Sequence, residues 1–176
     1  MVTEQDKTLE ALKISIQMEI DGKEYYLKAG RESGNELGSK LLQSLTAEED
    51  LHRKKFEQIY EVIRTQKIWP ATDFKPDGGK GLRTIFSRAI KSSASDVKVS
   101  STELDAVAKA LDMESKSFDF YTSQAQKATF DAERDFYQTL AFEEKEHQLI
   151  LLDYQEYLKD PAAYFVEKEH PSLDGG

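Results

Sequence analysis

The sequence lacks cysteine altogether and is poor in proline, with four prolines among 176 residues. Without cysteine the chain forms no disulfide, performs no thiol chemistry and cannot hold an iron–sulfur cluster or a four-cysteine iron site. No apolar run approaches the roughly 18 residues of a membrane-spanning helix. Residues 1–7 are polar, and no apolar signal-peptide core follows them. We therefore expect a cytoplasmic protein without a membrane partner.

Positive charge is scarce relative to negative charge, and the net charge is −9. This balance argues against binding nucleic acid by neutralising its phosphates. It could favour the approach of cations, although solubility explains it equally well. The hydrophobic content of 39% and the charged content of 32% fit a soluble helical protein. The length fits one domain over residues 1–176.

A pentapeptide of the form Glu-Glu-x-x-His occurs twice, at residues 48–52 and 143–147. On a helix, residues three apart project toward one side, so the second glutamate and the histidine of each copy can reach a common point. A carboxylate oxygen and an imidazole nitrogen suit iron, manganese and zinc. One copy alone often arises by chance on a solvated helix, whereas two copies predict metal binding.

The two copies belong to an internal repeat with an offset of 95 residues. Each half has one glutamate on a leading helix and, 30 residues later, a Glu-x-x-His on the returning helix. The same offset pairs Leu9 with Leu104, Ala11 with Ala106, Met18 with Met113, Tyr26 with Tyr121 and Leu45 with Leu140. The repeat predicts two helical hairpins related by a pseudo-two-fold axis. The six predicted metal ligands are Glu19, Glu49, His52, Glu114, Glu144 and His147.

Four carboxylates buried together would repel one another and lose their hydration, and two divalent cations would balance their charge. We expect Glu49 and Glu144 to bridge two metals about 3.5–4 Å apart. Glu19 and Glu114 would be terminal ligands, and each metal would bind one histidine. Iron, manganese and zinc all fit this donor set, so the sequence leaves the metal open.

Apolar residues at helical spacing predict an all-α fold with bundle helices over residues 3–33, 35–67, 100–128 and 129–158. Asn35 is the expected N-cap of the second helix, and a capping box of Ser100 and Glu103 opens the third. The pattern indicates a ferritin-like four-helix bundle of two duplicated hairpins with a long crossover. The predicted segments are a hairpin over 1–67, a crossover over 68–100 with a short helix at 82–90, a hairpin over 101–158, and a C-terminal tail over 159–176 with a short helix at 162–169.

These residues resemble the rubrerythrin-type ferritin-like proteins over nearly the whole chain outside the crossover. The matching features are Met18-Glu19 with Tyr25-Tyr26, Glu48-Glu49-x-x-His52, Met113-Glu114 with Phe120-Tyr121, Glu143-Glu144-x-x-His147, and the closing Asp160-Pro161 to Leu173-Asp174-Gly175-Gly176. The resemblance implies a homodimer with two iron ions in a non-haem centre. It implies reaction with hydrogen peroxide or dioxygen, as in peroxidases of oxidative-stress defence.

The chain departs from the rubrerythrin pattern in two places. It has no cysteine for the rubredoxin-like iron domain of rubrerythrin proper, so electrons would come from an external donor such as a rubredoxin or a reductase. Ser117 stands where the family carries a further glutamate, one turn beyond the ligand of the third helix.

The tyrosines Tyr26 and Tyr121 lie two turns beyond Glu19 and Glu114 on the same helix faces. They are candidates to supply protons or a hydrogen bond to peroxide chemistry at the site, and core packing is an equally supported role. For Gly22 we favour close packing between helices, and the alternative role is to make room beside a metal.

Two other functions fit the same residues: a ferroxidase or iron-handling protein, and a non-enzymatic bundle with a structural zinc or manganese pair.

Overall fold

The computed structural model describes residues 1–92 and 99–164, and most of these residues are helical. No strand occurs in these two ranges. The five long helices are α1 (Glu4–Glu32), α2 (Glu36–Gln66), α3 (Lys80–Ser92), α4 (Ser101–Lys127) and α5 (Asp131–Lys159). The all-α prediction is confirmed, and each of these helices begins and ends within two residues of its expected bounds.

Two helical hairpins, α1 with α2 and α4 with α5, form the bundle. The hairpins meet through contacts of α1 with α4 and of α2 with α5, which closes a ferritin-like four-helix bundle. The crossover joins α2 to α4 and contains α3, whose apolar face of Leu82, Phe86 and Ala89 is buried. That helix contacts α2 and α5. None of the described helices is both long and apolar enough to cross a membrane.

The starts of α1 and α2 follow from local capping. The Thr3 hydroxyl accepts a hydrogen bond from the Asp6 backbone N–H at 3.1 Å, and the Asp6 carboxylate accepts one from the Thr3 N–H at 2.9 Å. Asn35 Oδ1 accepts from the Gly38 N–H at 2.7 Å. Each cap satisfies backbone donors that the first helical turn leaves without a partner, so the helices begin where the sequence predicts.

The capping box predicted for α4 is only half formed. The Ser100 hydroxyl accepts from the Glu103 backbone N–H at 3.3 Å, as expected. The Glu103 carboxylate does not return to the Ser100 backbone. It accepts instead from the loop between α1 and α2, from Gly34 N–H at 2.6 Å, Ser33 Oγ at 3.1 Å and Asn35 Nδ2 at 3.3 Å. Glu103 therefore ties the second hairpin to the first.

Three further boundaries have identifiable local causes. Lys67 adopts a left-handed conformation with φ of 59° and its N–H donates to the Ile63 carbonyl at 2.9 Å, which ends α2 at Gln66, one residue before the expected bound. Gly78 and Gly79 have positive φ and form the turn before α3. Asp160 Oδ1 accepts from the Ala163 N–H at 3.0 Å and starts a helix that covers 161–164. The rest of the predicted 162–169 helix lies outside the described residues.

The hydrophobic core is divided into two clusters along the bundle axis. One cluster contains Tyr26, Leu41, Leu45, Val107, Leu151 and Tyr154, and the other contains Leu12, Phe56, Ile59, Tyr121, Phe136 and Leu140, each with further neighbours. On every bundle helix, the buried charged residues of the predicted site lie in sequence between members of the two clusters. The two apolar layers therefore enclose a polar layer midway along the bundle.

Candidate metal centre

The polar layer contains all six residues that the sequence predicts as ligands. None exposes more than 4% of its surface, so the group is withdrawn from solvent. Each bundle helix contributes at least one member: Glu19 from α1, Glu49 and His52 from α2, Glu114 from α4, and Glu144 and His147 from α5. We refer to these six residues as the Glu/His cluster.

The cluster divides into two overlapping groups of four donors. One group consists of Glu19, Glu49, His52 and Glu144, and the other of Glu49, Glu114, Glu144 and His147. Within each group, one donor atom from every residue lies within 4.8 Å of the others. Glu49 and Glu144 belong to both groups. The arrangement thus has two adjacent four-donor positions with two shared carboxylates between them.

Several inward-facing atoms of the cluster have no hydrogen-bond partner among the described residues. These atoms are Glu19 Oε2, Glu49 Oε1, His52 Nδ1, Glu144 Oε1 and His147 Nδ1. An unsatisfied buried polar atom costs about 1–3 kcal/mol, so five at one place call for a bound group. Carboxylate oxygens and imidazole nitrogens are donors that divalent transition metals accept. The residues therefore fit a pair of metal ions.

The contacts between these atoms show how closely the donors converge. His52 Nδ1 lies 3.4 Å from Glu19 Oε2 and 3.5 Å from Glu144 Oε1. His147 Nδ1 lies 3.2 Å from Glu49 Oε1 and 3.3 Å from Glu144 Oε2. Both histidines thus direct Nδ1 toward the carboxylates, and the two imidazole rings stack with centroids 5.7 Å apart.

Tyr26 and Tyr121 connect the two halves of the repeat in a crosswise manner. The hydroxyl of Tyr26 on α1 donates to Glu114 Oε1 on α4, and the hydroxyl of Tyr121 on α4 donates to Glu19 Oε1 on α1. Burial and the neighbouring Glu114 charge hold the pKa of Tyr26 well above 10. Burial and the Glu19 charge do the same for the pKa of Tyr121. Both phenols therefore remain protonated donors.

The two carboxylates shared by both groups have raised pKa values in the metal-free protein. Burial raises the pKa of Glu144 to about 8, with added repulsion from Glu114 and Glu19. Burial also raises the pKa of Glu49 well above 4.5, with added repulsion from Glu19 and Glu144. Both shifts have the sign expected when carboxyl groups are crowded together away from water.

The two unshared carboxylates behave in the opposite way. Burial opposes the ionisation of Glu114, but the nearby His147 charge and hydrogen bonds with Glu144, His147 and Tyr26 together outweigh it and lower the pKa to about 2. Burial likewise opposes the ionisation of Glu19, while the adjacent Glu49 and the His52 charge lower its pKa. The cluster therefore has two ionised outer carboxylates, each beside a histidine.

The first glutamate of each pentapeptide also belongs to the site, and the sequence reasoning did not assign it a role. Glu48 Oε2 lies 2.9 Å from His147 Nε2, which positions the imidazole so that Nδ1 faces the cluster. Its counterpart Glu143 exposes only 2% of its surface, and Glu143 Oε1 has no partner in the described part of the chain. Both motifs contain two consecutive glutamates and not one, and this recurrence is the sequence feature that could have predicted a role for the first glutamate.

Gly22 lies directly against a member of the cluster. A Cβ atom at this position would come 3.4 Å from Glu49 Oε2 and 3.5 Å from Glu49 Cδ. Both distances are ordinary van der Waals contacts, so a Cβ atom would fit here without displacing Glu49. The assignment of Gly22 to close packing stays a prediction.

The four-helix bundle and the buried carboxylate–imidazole cluster together define a ferritin-like protein with a candidate di-metal site. The family model for rubrerythrin matches residues 10–154, so the chain belongs to the rubrerythrin family. No curated protein and no solved structure gives a significant match to the chain. Family membership and the buried cluster both indicate a carboxylate-bound metal site of the di-iron type.

Proposed function

We propose that the protein reduces hydrogen peroxide, or dioxygen, at a non-haem di-iron centre. Glu49 and Glu144 would help to hold both metals, because they belong to both groups of donors. Glu19 with His52 would complete one position, and Glu114 with His147 would complete the other. The observation that carries the proposal is the set of inward-facing donor atoms that lack hydrogen-bond partners among the described residues.

Two ferrous ions, when bound, would supply the two electrons that, with two protons, convert hydrogen peroxide to two water molecules. The chain's own residues prepare the site for this reaction. Tyr26 and Tyr121 each hold one oxygen of a terminal carboxylate, which leaves Glu114 and Glu19 with a second oxygen for the metal. Glu48 orients His147 in the same way. The apolar clusters on either side exclude water.

The electrons for repeated turnover come from a separate donor in this proposal. The chain has no cysteine, so it cannot carry the thiolate-ligated iron that would relay electrons internally. A rubredoxin or a reductase is the expected kind of partner. The homodimer and the cytoplasmic location stay predictions from the sequence.

The proposal is tested by anaerobic loading of the metal-free protein with Fe(II), followed by addition of hydrogen peroxide under a visible spectrophotometer. We expect about two irons per chain, rapid oxidation by peroxide, and cleavage of one peroxide for each pair of ferrous ions oxidised. The Glu144→Ala variant should bind less iron and lose the spectral change.

Other outcomes would separate the alternative functions. Rapid oxidation by dioxygen with continued iron uptake and mineral formation would favour an iron-handling protein. Two tightly bound zinc or manganese ions without any redox turnover would favour a structural metal pair. Either result would contradict peroxide reduction as the main activity.

A further inference from the structure

A surface cleft of about 550 Å³ lies between the crossover and α5, close to the Glu/His cluster. Phe74 and Pro76 line it from the crossover, and Asp135 and Glu143 line it from α5. Lys75 also borders it, so the cleft contains one ammonium and two carboxyl groups. We call it the Phe74 cleft. It is a second feature of the molecule, because none of the six predicted ligands lines it.

Glu143 connects this cleft with the interior. The residue lines the cleft, yet only 2% of its surface is exposed and Oε1 is enclosed without a hydrogen-bond partner in the described ranges. Glu143 directly precedes the shared carboxylate Glu144 on α5, which places it beside the Glu/His cluster. A buried carboxylate without a partner is costly, so its retention at this point indicates an interaction with a cation.

The pseudo-two-fold related residue makes the contrast clear. Glu48 uses its carboxylate to position His147 at 2.9 Å and keeps 23% of its side chain exposed. Glu143 makes no such hydrogen bond within the described structure and is more deeply buried. In one half of the repeat, the first glutamate of the motif, Glu48, positions a histidine. In the other half, the equivalent Glu143 makes no hydrogen bond to a histidine in the described structure.

Phe74 contacts the His52 side of the cluster. Its ring meets the His52 ring edge-on, with centroids 5.8 Å apart, while the same residue lines the cleft. The ring also packs against Phe136 at 5.9 Å. Phe74 therefore borders both the cleft and His52.

We propose that Glu143 is a transit ligand that takes a divalent cation from the Phe74 cleft and passes it to the position formed by Glu19, Glu49, His52 and Glu144. The proposal rests on the metal centre of the proposed function. Moving a bare dication from water into a buried site is very costly, and a carboxylate on the way offsets part of that cost. The position beside His52 would accordingly fill through Glu143.

The rate of metal uptake tests this proposal, and it is measured separately from the number of metal ions bound at completion. Metal-free protein is mixed with Co(II) in a stopped-flow instrument, and the visible absorption of bound cobalt is followed to completion. The Glu143→Gln variant keeps the side-chain size and removes the charge. We expect its uptake to slow on the order of tenfold, since a charged cleft raises the association rates of counter-ions by roughly 10- to 1,000-fold and Glu143 is one of the two carboxyl groups in this cleft. Its final cobalt content should equal that of the unmodified protein.

Glu133→Gln is the matched control. Glu133 lies ten residues earlier on the same helix, exposes only 8% of its surface, and accepts from the Thr129 N–H at 3.3 Å. It does not line the Phe74 cleft. Its replacement should leave the cobalt uptake rate unchanged. Equal slowing in both variants would show a general effect of lost buried charge and would overturn the proposal.

A second variant keeps the proposal open to test if Glu143→Gln folds poorly. Phe74→Leu retains apolar contact but removes the ring that borders the cleft and His52, so uptake should become faster. Unchanged rates in Glu143→Gln, or in Phe74→Leu, would overturn transit through this cleft.

A normal rate with reduced final cobalt content in Glu143→Gln would instead make Glu143 a positioning residue for His52. Failure of the unmodified protein to bind about two cobalt ions would contradict the metal centre itself and the transit proposal with it.

Discussion

The crosswise hydrogen bonds of Tyr26 and Tyr121 show how individual residues prepare the site. Each phenol donates to a carboxylate from the other half of the repeat. The sequence places both tyrosines on the correct helix faces, but it suggests no crosswise pairing because that depends on how the hairpins dock. Hydrogen bonds of this kind fix the orientation of a ligand and tune its basicity.

The double variant Tyr26→Phe/Tyr121→Phe should therefore bind metal more weakly. We expect a loss of about tenfold or more in affinity, since partners that orient metal ligands contribute 10–100-fold in other proteins. Competition with a coloured chelator measures the change. Tyr154→Phe is the control, because Tyr154 is equally buried but its hydroxyl accepts from Asn35 Nδ2 at 3.0 Å instead of donating to a predicted ligand. Unchanged affinity and turnover in the double variant would leave both tyrosines with a packing role.

The protonation of the shared carboxylates predicts how the metal-free protein responds to pH. The pKa of Glu144 is raised to about 8 and that of Glu49 is raised well above 4.5, so folding favours their protonated forms. This contribution is complete below about pH 4.5 and is lost as the pH rises through about 8. The raised pKa values of His52 and His147, caused by Glu19 and Glu114 against the effect of burial, act in the same direction.

Metal-free protein should consequently melt at a lower temperature near pH 9 than near pH 6, as measured by circular dichroism. The Glu144→Gln variant should show a smaller difference, because the substituted side chain no longer ionises. Metal-loaded protein should also show a smaller difference, since bound cations compensate the carboxylate charge. A metal-free protein that gains stability toward pH 9 would contradict the assigned protonation states.

For the individual helices, capping residues and the spacing of apolar residues explain most of the helix bounds that the sequence predicted. Caps at Thr3 and Asn35 and the helical spacing of apolar residues place α1 and α2 to within a residue. The six clustered residues were also predictable, because the repeat presents them twice at equal spacing. The Glu103 contact was not predictable, since its partners lie in a loop nearly 70 residues away in sequence.

Glu103 gives a direct test of how the two hairpins are held together. Glu103→Ala removes hydrogen bonds to Gly34, Ser33 and Asn35 and should destabilise the fold by about 1–3 kcal/mol. Ser100→Ala removes only the N-cap of α4, with an expected cost of about 1 kcal/mol. Urea denaturation measures both. If the Glu103 variant is no less stable than the Ser100 variant, the contact between hairpins contributes little.

At the scale of the whole molecule, duplication explains both the symmetry of the centre and its departures from symmetry. Equivalent residues supply the donors and the tyrosine hydrogen bonds in both halves. The crossover breaks the equivalence, because Phe74 contacts His52 whereas Glu48 hydrogen-bonds His147. Phe74 belongs to a segment outside the repeat, so the repeat alone could not predict its contact with His52.

The central claim is that two metal ions share Glu49 and Glu144 inside this bundle. Anomalous diffraction from crystals grown with Fe(II) or Mn(II) locates the ions without reference to activity. We predict two anomalous peaks per chain, about 3.5–4 Å apart, with both shared carboxylates between them and one histidine Nδ1 at each peak. A single peak, or two peaks bound outside the six residues, would contradict it.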